Sequence, residues 1–187
     1  MELQKFAVKL FLNMNGSYSS KDFIPVFHTW IQDKVVSNHI LIDVADYSHI
    51  PDGPGVILIA HEGHFSLDQE NHQPGIMYMR KTALDGTFND RFNKILSTVI
   101  EAADRLRNNN INKEINFKNN SFRFIANDRL CAENTIENQT LYRKKIKNVL
   151  NERCPDSKVE FKDVSNKNER LAFTVNFNND IDILEEN

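Results

Sequence analysis

The chain has 187 residues, enough for one domain with its own hydrophobic core. Its 23 basic and 26 acidic residues leave a formal net charge of −3, which gives no reason to expect a nucleic acid as partner. A hydrophobic share of 40%, with 13 phenylalanines, excludes an intrinsically disordered chain. The longest uninterrupted apolar run covers residues 56–60, far too short to span a membrane.

Cysteine content and the first residues both favour the cytoplasm. Cys131 and Cys154 are the only cysteines, too few for a disulfide framework, and we expect both to be thiols. Residues 1–5 lack the basic start and the apolar stretch of a signal peptide. We therefore predict a cytoplasmic protein that does not associate with membranes.

Apolar residues that alternate at a period of two predict seven β-strands. In chain order the predicted strands cover residues 6–12, 40–46, 55–61, 76–80, 122–126, 159–164 and 171–177. The run 56–60 is apolar on both faces, which is typical of a strand in the centre of a sheet. The last two strands are predicted to form a hairpin.

Apolar residues repeated at a period near 3.6 predict three helices. The first carries Trp30 on its apolar stripe, so we expect this side chain to be buried against the sheet. Ser20 or Asp22 is predicted to cap the start of this helix. The second helix is the longest, and Thr87 and Asp90 have the spacing of a capping pair at its start.

The third helix is predicted to begin at a capping box of Asn134 and Glu137, with Ile136 turned toward the core. Together the elements indicate a single α+β domain over the whole chain. It is predicted to contain a mixed, largely antiparallel sheet of about seven strands with three helices packed against it. Both ends of the chain read strand, helix, strand, strand, which is compatible with two similar halves, 1–110 and 111–187.

All six histidines lie between positions 28 and 72, so a histidine-based site belongs in the first half of the chain. The most suggestive string is His61-Glu62-Gly63-His64, because imidazole and carboxylate groups are the usual ligands of zinc and non-haem iron. Residues three apart on a strand point to opposite faces, however, so His61 and His64 converge only if the chain turns tightly at Gly63. We expect no metal there, with His61 at the end of a buried strand and His64 on a hairpin tip.

Any site is expected where the ends of the second, third and fourth strands meet. The candidate residues are Asp46, Tyr47, His49, His61, Glu62 and His64. Loops held by a rigid sheet are favoured positions for binding and catalytic groups. The hypothesis requires the side chains of His61 and Glu62 to open into the same concavity as Asp46 or His49.

Two other motifs are interpreted as structural. The loop 51–55 contains Pro51 and Pro54, which lack the backbone N–H donors that a phosphate-binding loop needs. The third helix has a basic outer surface without interleaved aromatic residues. Together with the negative net charge, this composition makes a nucleic-acid partner an unfavoured prediction.

Several segments are similar to a family of conserved bacterial proteins without an assigned activity. They are residues 23–32, 43–47, 51–55, 61–62 and 127–130. The resemblance covers most of the chain but implies no substrate, cofactor or catalytic residue. The family has no histidine at the position of His64, which leaves a role for His61 and Glu62 alone.

Two classes of function follow from these observations. The first is a non-catalytic protein that binds a small ligand or takes part in protein interaction and assembly. The second is a small enzyme, such as a metal-dependent hydrolase, in which His61 and Glu62 act with Asp46, His49 or His64. We favour the first class because no candidate catalytic group has a convincing spacing. No residue pattern identifies a cofactor, and the expected partner is a protein or a small molecule.

Overall fold

The computed structural model describes residues 2–13, 19–109, 115–155, 157–163 and 169–178. Its strands are β1 (Phe6–Asn13), β2 (Leu41–Tyr47), β3 (Gly55–Ala60), β4 (Gly63–Asp68), β5 (Gly75–Arg80), β6 (Asn116–Ala126), β7 (Val159–Asp163) and β8 (Ala172–Phe177). They form one sheet in the order β2-β3-β4-β5-β1-β6-β8-β7, and neighbouring strands in it are antiparallel. The α+β class is confirmed, with eight strands instead of about seven and without the parallel pairing of a mixed sheet among the described residues.

The helices are α1 (Ile24–Asp33), α2 (Phe88–Arg107) and α3 (Ile136–Arg153). At α2 the predicted capping pair is confirmed. The backbone N–H of Asp90 donates to the Thr87 hydroxyl oxygen at 3.3 Å, and the N–H of Thr87 donates to the Asp90 carboxylate at 2.8 Å. This reciprocal pair satisfies two N–H groups that the helix itself leaves without acceptors.

The predicted caps of the other two helices are wrong. A 3-10 helix, Ser20–Phe23, continues directly into α1, so neither Ser20 nor Asp22 stands at the start of α1. At α3 the cap is Thr135, whose hydroxyl accepts from the backbone N–H of Asn138 at 3.2 Å. Ile136 is 77% exposed rather than buried, because at 3.6 residues per turn it does not lie on the stripe that carries Tyr142, Ile146 and Val149.

The two central strands, β1 and β6, are each followed by a helix and then by further strands, the last of which pairs with the central strand. The first unit runs β1, α1, β2, β3, β4 and β5, and β5 returns to pair with β1. The second unit runs β6, α3, β7 and β8, and β8 returns to pair with β6. The strand-helix-strand-strand order therefore holds for the second unit, while the first has two more strands. The proposed boundary between residues 110 and 111 lies outside the described residues.

The two faces of the sheet have different coverings. All three helices pack on one face, which we call the helix face, where alternate strand residues such as Phe6, Leu58 and Phe124 form a single core with them. The other face, which we call the open face, has no α-helix over it among the described residues. Its central row includes Lys9 on β1 and Arg123 on β6, which are register partners.

Trp30 is buried between α1 and the sheet, as predicted. It is 3% exposed, and its ring centroid lies 5.3 Å from that of Phe27 and 6.4 Å from that of Phe65. Cys131 and Cys154 are both free cysteines. Across the described part of the chain, no helix is both long enough and apolar enough to cross a membrane.

Candidate functional site

The six residues predicted to form a site lie in separate places. Asp46 is opposite Val56 and Tyr47 is opposite Gly55, next to the turn that joins β2 to β3. The ring of His49 stacks on that of Tyr47 with centroids 6.4 Å apart. Three of the predicted residues, Asp46, Tyr47 and His49, are therefore close together at this turn.

His61 and Glu62 lie at the other end of the same pair of strands. The N–H of His61 donates to the carbonyl oxygen of Ile40 at 2.9 Å, and the Glu62 carboxylate accepts the N–H of Ile40 at 2.8 Å. The two ends of β2 are about 20 Å apart at the usual rise per residue. The predicted convergence is wrong because a hairpin brings together the end of one strand and the start of the next. The enzyme hypothesis loses the geometry on which it was based.

His64 lies within β4, opposite Ile59 on β3 and Met79 on β5, and not on a hairpin tip as predicted. Its Nδ1 atom is buried and has no hydrogen-bond partner among the described residues. Burial lowers the pKa of His64 below its ordinary value, and the nearby charge of Lys81 lowers it further. His64 is thus a largely neutral side chain of the open face.

The carboxylates of the predicted site are held by local hydrogen bonds. The Ser48 hydroxyl and backbone N–H both donate to Asp46, which lowers the pKa of this carboxyl group. For Glu62, burial acts to raise the pKa, but the hydrogen bond from Ile40 and the neighbouring histidines outweigh it and lower the pKa. Within the described ranges, no three His, Cys, Asp or Glu side chains come together as a group able to hold a metal ion.

A cleft lies on the helix face of the sheet. One of its walls is formed by the end of α1 and the loop that follows α1, and the other by the outer side of α2. This cleft has a volume of about 890 Å³. Its polar lining combines side chains from the loop, from β5 and from α2. Among them are His39, Tyr78, Arg80, Lys94, Thr98, Glu101, Asp104 and Arg105. The cleft falls within the range of roughly 300–1,000 Å³ that is usual for small-molecule sites, and its polar side chains come from three separate elements, so we take it as the candidate site.

Three of these side chains form one hydrogen-bonded chain. The Arg80 Nη1 atom donates to the Tyr78 hydroxyl at 3.2 Å, and that hydroxyl lies 2.7 Å from His39 Nε2. The other ring nitrogen of His39, Nδ1, lies 2.9 Å from the carbonyl oxygen of Ser37, which can only accept. Nδ1 therefore carries the proton, and the Tyr78 hydroxyl donates to Nε2.

The local environment keeps His39 and Tyr78 in their neutral forms. Burial lowers the pKa of His39, against the opposing effect of the bond to Ser37. Burial also raises the pKa of Tyr78, with the hydrogen bond from Arg80 acting in the other direction. A neutral His39 has one donor and one acceptor, and both are already in use. It cannot take a proton from a substrate without first losing its bond to Tyr78.

Arg80 is the buried cation of the cleft, with 9% of its surface exposed. Besides the bond to Tyr78, its Nε atom donates to the carbonyl oxygen of Thr82 at 3.1 Å. Both acceptors are neutral. On α2, the carboxylate of Glu101 instead pairs with Arg105 at 2.8 Å, and Asp104 lies 3.6 Å from Arg107. The acidic groups in the cleft wall are thus matched within α2 itself.

A glycine makes room for the tyrosine of the chain. A Cβ atom on Gly63 would lie 2.8 Å from the Tyr78 hydroxyl oxygen and 2.6 Å from the carbonyl oxygen of Met79. A Cβ atom essentially never approaches a non-bonded heavy atom this closely, so β4 passes next to Tyr78 only because residue 63 has no side chain.

Sequence reasoning did not select the cleft, although one signal for it is present. Ile76, Tyr78 and Arg80 alternate along β5, so all three point to the same face of the sheet. A charge on the core-facing side of a strand is unusual and is a reason to look for a functional group there. His39 was inside the histidine-rich window but was not chosen.

A scan against protein-family models and a search of curated proteins both gave no match to this chain.

Proposed function

We propose that the protein is a non-catalytic binding protein whose cleft between α1 and α2 holds a small polar molecule. The observation that carries the proposal is a cleft of about 890 Å³ beside a pre-arranged chain of polar groups, His39, Tyr78 and Arg80. A site whose polar groups are already fixed loses little entropy when a ligand binds.

The charge of the cleft favours a ligand with an acidic group. Buried charges are normally paired, yet the hydrogen bonds described for Arg80 go to the neutral oxygen atoms of Tyr78 and Thr82. Its guanidinium has five N–H groups in a fixed fork, and those two bonds use two of them. A carboxylate of the ligand would supply the missing negative charge.

The state of His39 favours binding over catalysis. A general base needs a nitrogen lone pair that can reach the proton it removes. In this protein the Nε2 lone pair accepts the Tyr78 proton, and Nδ1–H donates to Ser37. His39 is thus suited to orient Tyr78 and to form a wall of the site.

The test uses two threonines that occupy matched positions on different helices. Thr98 lines the cleft, whereas Thr140 lies on α3, and each hydroxyl donates to the carbonyl four residues earlier, at 2.7 Å and 2.8 Å respectively. Thr98→Trp places a large side chain in the cleft. Thr140→Trp makes the same change on an exposed surface away from it.

The full chain and both variants would be purified from its source cells, and the molecules released on denaturation identified by mass spectrometry. We expect the wild type and Thr140→Trp to release the same small acidic molecule and Thr98→Trp to release little of it. Equal release from Thr98→Trp contradicts the proposal. A protein that co-purifies with all three chains, without any small molecule, contradicts it in favour of an assembly function.

A further inference from the structure

A second and much smaller cavity lies on the open face of the sheet. It has a volume of about 130 Å³ and is bordered by β6, by the start of β8 and by the segment that follows β4. Three arginines, Arg123, Arg129 and Arg170, and two glutamates, Glu70 and Glu169, line it. Three positive groups against two negative ones leave the lining with an excess of one positive charge.

Arg123 is the buried member of this group, with 4% of its surface exposed. It lies on β6 between Lys9 and Thr174 of the neighbouring strands. Its guanidinium carbon lies 5.3 Å from the centre of the Phe11 ring, and its Nη2 atom donates to the side-chain oxygen of Gln73. These contacts fix the guanidinium beside the cavity.

One donor of Arg123 is not used. Its Nε–H is buried and has no hydrogen-bond partner among the described residues. An unsatisfied buried donor, particularly on a charged group, costs stability and is rare in native proteins. The Arg123 side chain borders the cavity, so an oxyanion bound there would place a negative charge beside a buried cation that lacks a full set of acceptors.

Two carboxylates nearby, those of Asp68 and Glu70, are engaged with other cations. Asp68 pairs with Lys9, and both of these side chains are almost fully buried. Glu70 lies 3.9 Å from Arg170, and Arg170 also donates to the Asn127 side-chain oxygen at 2.7 Å. Lys9 therefore has a carboxylate in direct contact, whereas no ion pair is found for Arg123 among the described residues.

We propose that this cavity binds a small oxyanion, a carboxylate or a phosphoryl group, with Arg123 at its inner wall and Arg129 and Arg170 beside it. The guanidinium fork matches the oxygen spacing of both groups and binds them in pairs of hydrogen bonds. Because one water takes about 30 Å³ in the liquid, a cavity of this size holds an oxyanion but not a nucleotide.

The experiment measures the binding of two probes, inorganic phosphate and acetate, at constant ionic strength balanced with chloride. The readout is the side-chain Nε–H resonance of Arg123 in a ¹⁵N-labelled full chain, together with calorimetric titration. We expect saturable binding of at least one probe, with a shift of this resonance. Saturation by phosphate alone identifies a phosphoryl site, and saturation by acetate alone identifies a carboxylate site.

Two variants at the cavity and one control decide the interpretation. Arg123→Lys and Arg170→Lys are each expected to weaken probe binding about tenfold, because each loses a charge-assisted hydrogen bond. Arg107→Lys, on α2 at the other face, should bind as the wild type does. If Arg123→Lys does not fold, Arg170→Lys and the Nε–H resonance of the wild type still give the answer.

Two results would overturn the inference. One is a shift that increases linearly with probe concentration and never saturates. The other is equal binding by Arg170→Lys, Arg107→Lys and the wild type. The inference stands apart from the proposed cleft function, since Thr98→Trp should leave oxyanion binding unchanged even though it fills the cleft.

Discussion

Arg80 and Arg123 are buried to a similar extent on opposite faces of one sheet, but the spaces beside them differ greatly. Arg80 borders a cleft of about 890 Å³ on the helix face, and Arg123 borders a cavity of about 130 Å³ on the open face. Arg80 donates to Tyr78 and Thr82, whereas the Nε–H of Arg123 has no acceptor among the described residues. The volume beside each arginine limits the size of the molecule that it can bind. The number of its N–H groups without an acceptor limits how many hydrogen bonds it can donate to that molecule.

The comparison also separates two ways of burying polar groups. On the helix face, the polar groups Arg80, Tyr78 and His39 are neutral or singly charged and are joined in one chain at the edge of the core. On the open face, oppositely charged Lys9 and Asp68 are buried directly against each other. We expect the loss of one hydrogen bond to destabilise the group on the helix face, and the loss of one charge to destabilise the pair on the open face.

The largest expected effect comes from the packing of the helix face. Trp30→Ala should lower the free energy of unfolding by about 3–5 kcal/mol, because it removes a buried indole and leaves a cavity. Leu130→Ala is the control: Leu130 is 97% exposed, so its change should stay within about 0.5 kcal/mol. Both values come from urea denaturation. A loss of under about 1 kcal/mol for Trp30→Ala would mean that α1 does not pack on the sheet as described.

On the open face, Asp68→Leu should cost about 3 kcal/mol, because it leaves Lys9 buried without its counter-ion. This is the lower end of the usual range, since the carbonyl oxygen of Glu70 remains 3.5 Å from the Lys9 amine. The double variant Lys9→Met/Asp68→Leu should recover most of the loss. Equal destabilisation of the single and the double variant would show that the pair is not buried as a unit.

Tyr78→Phe tests the hydrogen-bonded chain of the cleft. The change should cost about 1–3 kcal/mol, because Arg80 and His39 both lose a partner while remaining partly or fully buried. Tyr47→Phe, at a tyrosine that is 41% exposed, removes a hydroxyl from the surface and should be close to neutral. If the two variants were equally stable, the hydrogen bonds of the Tyr78 hydroxyl with Arg80 and His39 would be contradicted.

The smallest effect concerns pH and His39. Its pKa is lowered in the folded protein, so below about pH 6.5 the unfolded chain takes up the proton more readily. Stability carried by neutral His39 should therefore fall as the pH drops from about 7 to about 5. His39→Gln lacks the imidazole and should show a smaller drop in melting temperature over that pH interval. The control is His28→Gln, a change at an exposed position, and its melting temperature should fall as much as that of the wild type. An identical drop in all three proteins would contradict the assignment of a neutral His39.

Much of the fold was predictable because most elements show their period clearly. The strand β4 was missed, although Phe65 and Leu67 alternate with His64, Ser66 and Asp68 as a half-buried strand does. Caps were the other weak point, since Thr135 and Asn134 are neighbours with similar capping ability.

The site was predictable in part only. The predicted strands and the loop between them already implied that Asp46 and Glu62 lie at opposite ends of a hairpin, so that error was avoidable. The cleft is different, because it depends on Tyr78 meeting His39 across 39 positions of sequence. Neither side chain signals the contact locally. The spare donor of Arg123 likewise depends on where Gln73 and Phe11 fall in three dimensions.

The most direct test of the central claim is an experimental structure of the full chain purified from its source cells without removal of bound molecules. We expect density for a small molecule in the cleft between α1 and α2, with an acidic group next to Arg80. We also expect the Tyr78 hydroxyl to remain within hydrogen-bond distance of His39. A cleft that holds only water, with a bound molecule instead at the turn beside Asp46 and His49, would contradict the claim.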